Sequence, residues 1–178
     1  MQRIKTRDLA VMALVLVLGL FSKRIVSPVT GLLTDFFRIP GGSAAVGFSM
    51  AFLLIGRQMV SLPFAGTLMG LAQAGLALAL GMSGYQGALA LITYSLPGLV
   101  LDLASRLPLG GLPGRVLACA LACLTSAGLS DALVFHLRGP SLVLWLLLAV
   151  LSGILGGWLA HLVLKRLENA NRQERRKP

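Results

Sequence analysis

Charge is what this chain has least of. Only 12% of its 178 residues are charged, about half the roughly 25% of an average soluble domain. Hydrophobic residues reach 56% and the mean hydropathy is +0.84. Too few polar side chains remain to coat a water-facing globule. Cysteine is nearly absent as well. Cys119 and Cys123 stand four apart within an apolar run, on one face of one helix, and form neither a disulfide framework nor a zinc signature. We read them as small packing residues. No H-E-x-x-H, Walker A loop or G-x-S-x-G elbow occurs. The two histidines, His136 and His161, belong to opposite ends of a spanning bundle, too far apart to share a metal. No serine has a basic partner at matching depth. Catalysis, metal binding and a resident cofactor are therefore not expected.

The charge that exists is lopsided, with a net of +10 and a pI of about 11.1. Basic residues fall in short clusters between apolar blocks rather than along a groove-facing helix, which argues against nucleic-acid binding. The remaining class is an integral membrane protein. After the basic start at Met1 to Asp8, no small-residue cleavage site follows the first apolar run, so it is read as a retained span.

Blocks near the length of a membrane span can be marked off by charge, Pro and Gly. They run from Leu9 to Val26, Ser43 to Ile55 (ending at Arg57), Pro63 to Leu80, Tyr85 to Leu103, Val116 to Phe135 and Leu142 to Leu164. A connector from Ser27 to Gly42 holds Asp35 and Arg38 and is read as a lid over a pocket. The expectation is an all-α integral membrane protein, a compact bundle of six transmembrane helices. Residues 1–167 form its single domain, and 168–178 a charged cytoplasmic tail that frays. Six spans place both termini on one side. That side collects twelve basic residues and the other four, namely Lys23, Arg24, Arg38 and Arg138. By the positive-inside rule both termini are cytoplasmic.

Small residues recur at helical spacing: Gly66 and Gly70; Ala118, Ala122, Ser126 and Ser130; Gly153 and Gly157, with Ser152, Gly156 and Ala160 on the adjoining line. Lipid offers no hydrophobic drive between helices, so close backbone approach at such residues packs them. Most of these stripes are expected to be seams within the bundle.

Depth selects the candidate binding residues. Gln73 and Tyr94 lie ten and eleven residues from Ser83, roughly 15 Å from that turn and near the midplane. Pro97 frees the Thr93 carbonyl, so Gln73, Thr93, Tyr94 and Ser95 are a candidate polar patch. Interhelical gluing is the equally weighted alternative. Asp131 and Trp145 each lie seven residues from Arg138, about 10 Å below the outer surface. An intramembrane carboxylate is expensive and marks function by default, and Trp145 offers a stacking face. Against this, Asp131 can simply bond Ser130, a loop backbone or Arg138. Gln86 and Tyr85 sit at the outer mouth. Asp102 and Arg106, four apart, are expected to form a local ion pair.

The stretches Arg38-Ile39-Pro40-Gly41-Gly42, Leu80-Gly81-Met82-Ser83-Gly84 and Ser95-Leu96-Pro97-Gly98-Leu99-Val100-Leu101-Asp102 add to the pattern of six short spans with basic ends. Together they resemble the substrate-binding S component of energy-coupling factor (ECF) vitamin transporters, from about Asp8 to Leu167. The resemblance implies capture of a water-soluble vitamin or precursor near the outer face of a bacterial-type plasma membrane. It also implies association with a membrane coupling subunit and two cytoplasmic ATPases. The segments look closest to S components for thiamine or its hydroxymethylpyrimidine precursor, and another heterocycle fits nearly as well. Asp131, Trp145, Gln73, Tyr94, Ser130 and Gln86 are then the substrate-binding candidates. Such proteins often dock through A-x-x-x-A on the first helix, whereas here Ala10 and Ala13 are three apart. Other classes are a self-sufficient secondary transporter or channel, which would show repeats or a line of ionisable residues, and a membrane assembly protein that binds no small molecule.

Overall fold

The computed structural model describes residues 6–34, 42–60, 62–82 and 84–174, and these are all-helical. Six α-helices follow one another: α1 Thr6–Thr34, α2 Gly42–Met59, α3 Ala65–Ala79, α4 Ala90–Ala104, α5 Gly111–Ser130 and α6 Pro140–Glu174. Two short irregular turns supplement them, a 3-10 turn at Gly84–Leu89 before α4 and a π turn at Asp131–Phe135 after α5. Among the described residues four stretches are long and apolar enough to cross a membrane: Thr6–Val26, Gly87–Ala104, Gly111–Phe135 and Pro140–Ala170. The other two apolar helices, Ala45–Met59 and Ala65–Ala79, are shorter. The architecture is compatible with a helical membrane protein.

Several boundaries differ from those read in the sequence: α4 starts at Ala90 rather than Tyr85, α5 starts at Gly111 rather than Val116, and three helix ends lie further on. The first helix does not stop at Val26 but continues through Pro28 to Thr34, as membrane helices can where neighbours satisfy the freed carbonyl. The second continues past Ile55 to Met59. The tail after Lys165 remains helical to Glu174, because Lys, Arg, Leu, Glu and Ala sustain a helix and no Gly or Pro interrupts them. The lid assigned to the connector falls largely on residues 35–41, including Asp35 and Arg38, outside the described residues.

Helices alternate in direction, so α1 begins and α6 ends at the same end of the bundle, called here the basal end. α2 is the central helix, in contact with all five others. Its Val46, Met50, Leu53 and Leu54 pack with Val15 and Leu16 of α1, Met69 of α3, Leu101 of α4, Cys119 and Cys123 of α5, and Leu164 of α6. Both cysteines are fully buried and unpaired, and the Cys119 thiol points at the Met50 carbonyl at 3.7 Å.

The small-residue stripes are the seams of this bundle. Side chains at Gly153 and Gly157 would strike the α5 backbone at Ala120 and Val116, with Cα atoms 2.7 and 2.6 Å from the added carbon. One residue round the same helix, Ser152 and Gly156 face α2. There Gly47 N–H donates to Ser152 Oγ (3.0 Å), and a side chain on Gly156 would overlap the Gly47 backbone. In the α3–α4 seam Gly66 meets Gly98 and Gly70 meets the Tyr94 carbonyl. Contact at this range is open only to residues without bulk, and it supplies the van der Waals energy that lipid cannot.

Candidate functional site

The basal end holds the two ion pairs found among the described residues. Arg57 closes α2, Asp102 lies near the end of α4, and α3 begins between them. Phe64 precedes α3 in a left-handed conformation (φ 59°, ψ 29°) and supplies no side-chain cap. The first-turn amides of α3 are bonded from another helix instead. Asp102 Oδ1 accepts from Gly66 N at 3.0 Å, and Oδ2 accepts from Thr67 N at 2.7 Å and Thr67 Oγ1 at 2.8 Å. This is the task of an N-cap carboxylate, performed from 35 residues away. Arg57 Nε lies 2.7 Å from Oδ1 as a close ion pair, its N–H not aligned as a hydrogen bond. Asp102 is 0% exposed, yet both its oxygens are engaged. The local pair with Arg106 expected from the i, i+4 spacing is not formed; Arg106 sits 4.5 Å over the Phe64 ring. The physical reason is that Asp102 faces inward toward α2 and α3, where two amides, a hydroxyl and a guanidinium outbid one exposed neighbour.

A second basal linkage joins α5 to α6. Arg115 Nη1 meets His161 Nδ1 at 3.1 Å and Nη2 meets Glu168 Oε1 at 3.0 Å. An arginine cannot accept, so Nδ1 is the unprotonated imidazole nitrogen in this contact. A cavity of about 220 Å³ lies beside it, lined by Leu54, Gln58, Ser105, Leu109 and Arg115 among others. Ser105 Oγ is bonded to the Leu101 carbonyl and Arg115 to its two partners, and Gln58 is the remaining polar side chain of this lining.

The middle of the bundle contains Gln73, 1% exposed. Its Nε2 donates to Ser49 Oγ at 3.2 Å, and its Oε1 is buried without a partner. Gln73 thus turns toward α2. Tyr94 is buried against Ala74, Ala90 and Leu78 in the α3–α4 seam. Ser95 faces outward and its hydroxyl returns to the Leu91 carbonyl of its own helix. The expected patch is divided: Gln73 on one side, Tyr94 in a seam, Ser95 at the surface.

The end opposite the basal one is irregular. The backbone leaves α5 at Asp131 and closes a π turn, His136 N–H bonding the Asp131 carbonyl at 2.8 Å. His136 then takes a left-handed conformation (φ 51°, ψ 42°). The half-buried Asp131 carboxylate accepts the Leu137 amide at 2.7 Å through Oδ1, the loop-backbone bond foreseen as its structural alternative. Trp145, 3% exposed, donates Nε1–H to the Ala127 carbonyl at 3.2 Å. Phe135 stands edge-on to it at 5.5 Å and 63°. The indole is thus a packed wall between α5 and α6, with its donor committed and almost none of its surface exposed. Ser130 is buried beside them. Facing this corner is the 3-10 turn, which touches the π turn. It is kinked at Gly87 (φ 48°, ψ −131°), a conformation that only glycine adopts readily. Gln86 lies in that turn, with its side chain outside the described residues.

On α1, Ala10 and Ala13 are exposed together with Leu9, Leu14 and Val17, while Val15, Leu16 and Leu20 are buried. Arg57, Thr67 and Ser49 were not singled out from the sequence. The signal was present for the first: Arg57 and Asp102 are lone charges in apolar helices at the same end, and a depth match would have joined them. Among the described residues no three metal-ligating side chains gather. No family model, curated protein or solved structure matches the chain.

Proposed function

We propose that this protein is the substrate-capture subunit of an ECF-type importer. All six helices cross the membrane, both termini are cytoplasmic, and a small water-soluble vitamin-like heterocycle is taken up at the end opposite the basal one. A single observation carries this reading: the 3-10 turn at Gly84–Leu89 and the π turn at Asp131–Phe135 touch each other at that end, beside Asp131. Between the two ends the helices mesh through glycine and serine seams, and the basal end has the cavity beside Arg115. Within a bilayer, backbone that leaves the helix persists where protein buries it or where it lines a polar site, and π turns are frequent at functional sites. Asp131 Oδ1 is occupied by Leu137, and Oδ2 remains for an N–H donor or a cationic ring of the ligand. Trp145, with Phe135, forms the wall behind it. Ser130 and Gln86 border the same corner, whereas Gln73 and Tyr94 support it from deeper levels. The exposed α1 face at Ala10 and Ala13 is the docking surface for the membrane coupling subunit, which brings two ATPases.

The test is binding by the full chain purified in mild detergent. Native mass spectrometry and calorimetry with thiamine, hydroxymethylpyrimidine and cobalamin-related compounds should find a one-to-one complex. Asp131→Asn should weaken it at least about tenfold, the order of a lost charge-assisted hydrogen bond, without lowering Tm. If no compound binds and no ATPase subunit co-purifies, the capture reading fails and an assembly role takes its place.

A further inference from the structure

The basal cavity of about 220 Å³ takes no part in the capture site. It lies where α2, α4 and α5 meet, between Leu54 and Gln58 of α2, Ala104 at the end of α4, Leu109 on the connecting segment, and Gly111 and Arg115 of α5. Two apolar spans end here, for Gly87–Ala104 closes and Gly111–Phe135 begins. In a bilayer such ends lie at the depth of the lipid headgroups. The connection between them exposes Leu107 and Leu109, flanked by exposed Leu103 and Leu112. Gly110 and Gly111 border open space, since a β-carbon on either would meet no atom within 4 Å.

Charge around this cavity is unbalanced. The helices α2, α4 and α5 and the segment joining the last two contain three arginines, Arg57, Arg106 and Arg115, and one acid, Asp102. Asp102 is already engaged by Arg57 and the first turn of α3, and Arg106 lies over Phe64. Arg115 lines the cavity with its side chain only 15% exposed. A guanidinium has five N–H donors, and Arg115 uses one on His161 and one on Glu168. The exposed Glu168 is a counter-ion that solvent screens, and His161 offers only a neutral nitrogen. An enclosed guanidinium with a screened counter-ion and donors left over is suited to an entering phosphate, which it can bind through two parallel bonds. Gln58 adds an amide at the exposed side.

We propose that the basal cavity seats a phosphate group, held by the Arg115 guanidinium with Gln58 beside it. Two sources have this chemistry, the headgroup of an anionic phospholipid and soluble inorganic phosphate. The observations favour the lipid: the leucines beside the cavity give acyl chains an apolar surface, and basic pockets between helices at a membrane surface attract anionic headgroups. The inference rests on the cavity and Arg115 and not on the capture reading.

The full chain in a nonionic detergent is titrated calorimetrically with dihexanoyl-phosphatidylglycerol, dihexanoyl-phosphatidylcholine and inorganic phosphate. The expected result is a one-to-one complex with the phosphatidylglycerol, at least about tenfold tighter than with the zwitterionic phosphatidylcholine or with phosphate. Arg115→Gln should weaken it at least about tenfold, the order of a lost charge-assisted hydrogen bond. Gly110→Leu should do the same by narrowing the cavity while leaving the Arg115 bonds in place. Gly110 has an extended backbone (φ −73°, ψ 163°) open to any residue, so this variant decides if Arg115→Gln does not fold. Phosphate that binds within about tenfold of the phosphatidylglycerol, and loses affinity in the same variants, would keep the seat and make soluble phosphate its source. The proposal is overturned if neither phosphatidylglycerol nor phosphate binds, or if phosphatidylcholine comes within about tenfold of the tighter of the two. It is equally overturned if a folded variant loses less than about tenfold in affinity. Failure of every vitamin-like compound to bind leaves these results untouched, so the two readings fail separately.

Discussion

Asp102 and Asp131 are both acidic residues set into apolar helices, and the bundle treats them in opposite ways. Asp102 is sealed at the basal end, where Gly66, Thr67 and Arg57 engage both of its oxygens. Asp131 is half-buried at the other end, bound through one oxygen to a single loop amide. The first carboxylate is a fastening whose capacity is used up. The second keeps capacity in reserve, on a backbone that has already left the α-helix. A buried charge in a membrane protein is therefore diagnosed by counting its lone pairs, and its depth alone does not distinguish the two cases.

Removing the sealed carboxylate should give the largest effect. Asp102→Ala leaves Arg57 unpaired and two α3 amides uncapped, and breaking a buried pair from one side costs about 3–5 kcal/mol. Chemical unfolding in detergent should show that loss, and Arg57→Met combined with Asp102→Leu should recover part of it. A cost below about 1 kcal/mol for Asp102→Ala would erase the contrast. Next comes the helix seam that the two ends share. Gly156→Val drives a side chain into the Gly47 backbone, and overpacking of this kind costs about 1–3 kcal/mol. At the opposite end, Asp131→Ala should cost only about 1 kcal/mol for the lost Leu137 bond, while ligand binding falls. A larger stability loss would make Asp131 a fastening like Asp102. The smallest effect belongs to Glu168→Gln. Glu168 is 56% exposed, so its pair with Arg115 is screened, and the change should stay within about 0.5 kcal/mol and vanish in high salt.

The helical class, the approximate blocks and the seam glycines were legible in the sequence because each depends on local period and composition. The ends of α1 and α6 were not. Pro28 reads as a stop, although a helix lodged among neighbours tolerates it, and the charged residues after Lys165 read as solvated tail, although their propensity is helical. The partner of Asp102 was hidden for a different reason. Arg106 is visible at four residues' distance along the chain, whereas Arg57 is 45 residues away and adjacent only after α2 and α4 come together. Asp131 stood out by depth, but its bond to Leu137 depends on the π turn, which no local spacing announces. The division of Gln73 from Tyr94 depends on helix rotation, and equal depth does not specify azimuth.

The paired small-residue lines of α6 have a mechanical consequence. Ser152 and Gly156 mesh with α2, while Gly153 and Gly157 mesh with α5, two toothed edges about 100° apart on one shaft. Spinning that shaft would push Leu151 or Ile154 into slots cut for glycine. Sliding it finds matching teeth again only after a full turn, about 5.4 Å. Within this bundle α6 is keyed like a spline: its freedom is to travel with α2 and α5 as one block or to jump by a whole notch.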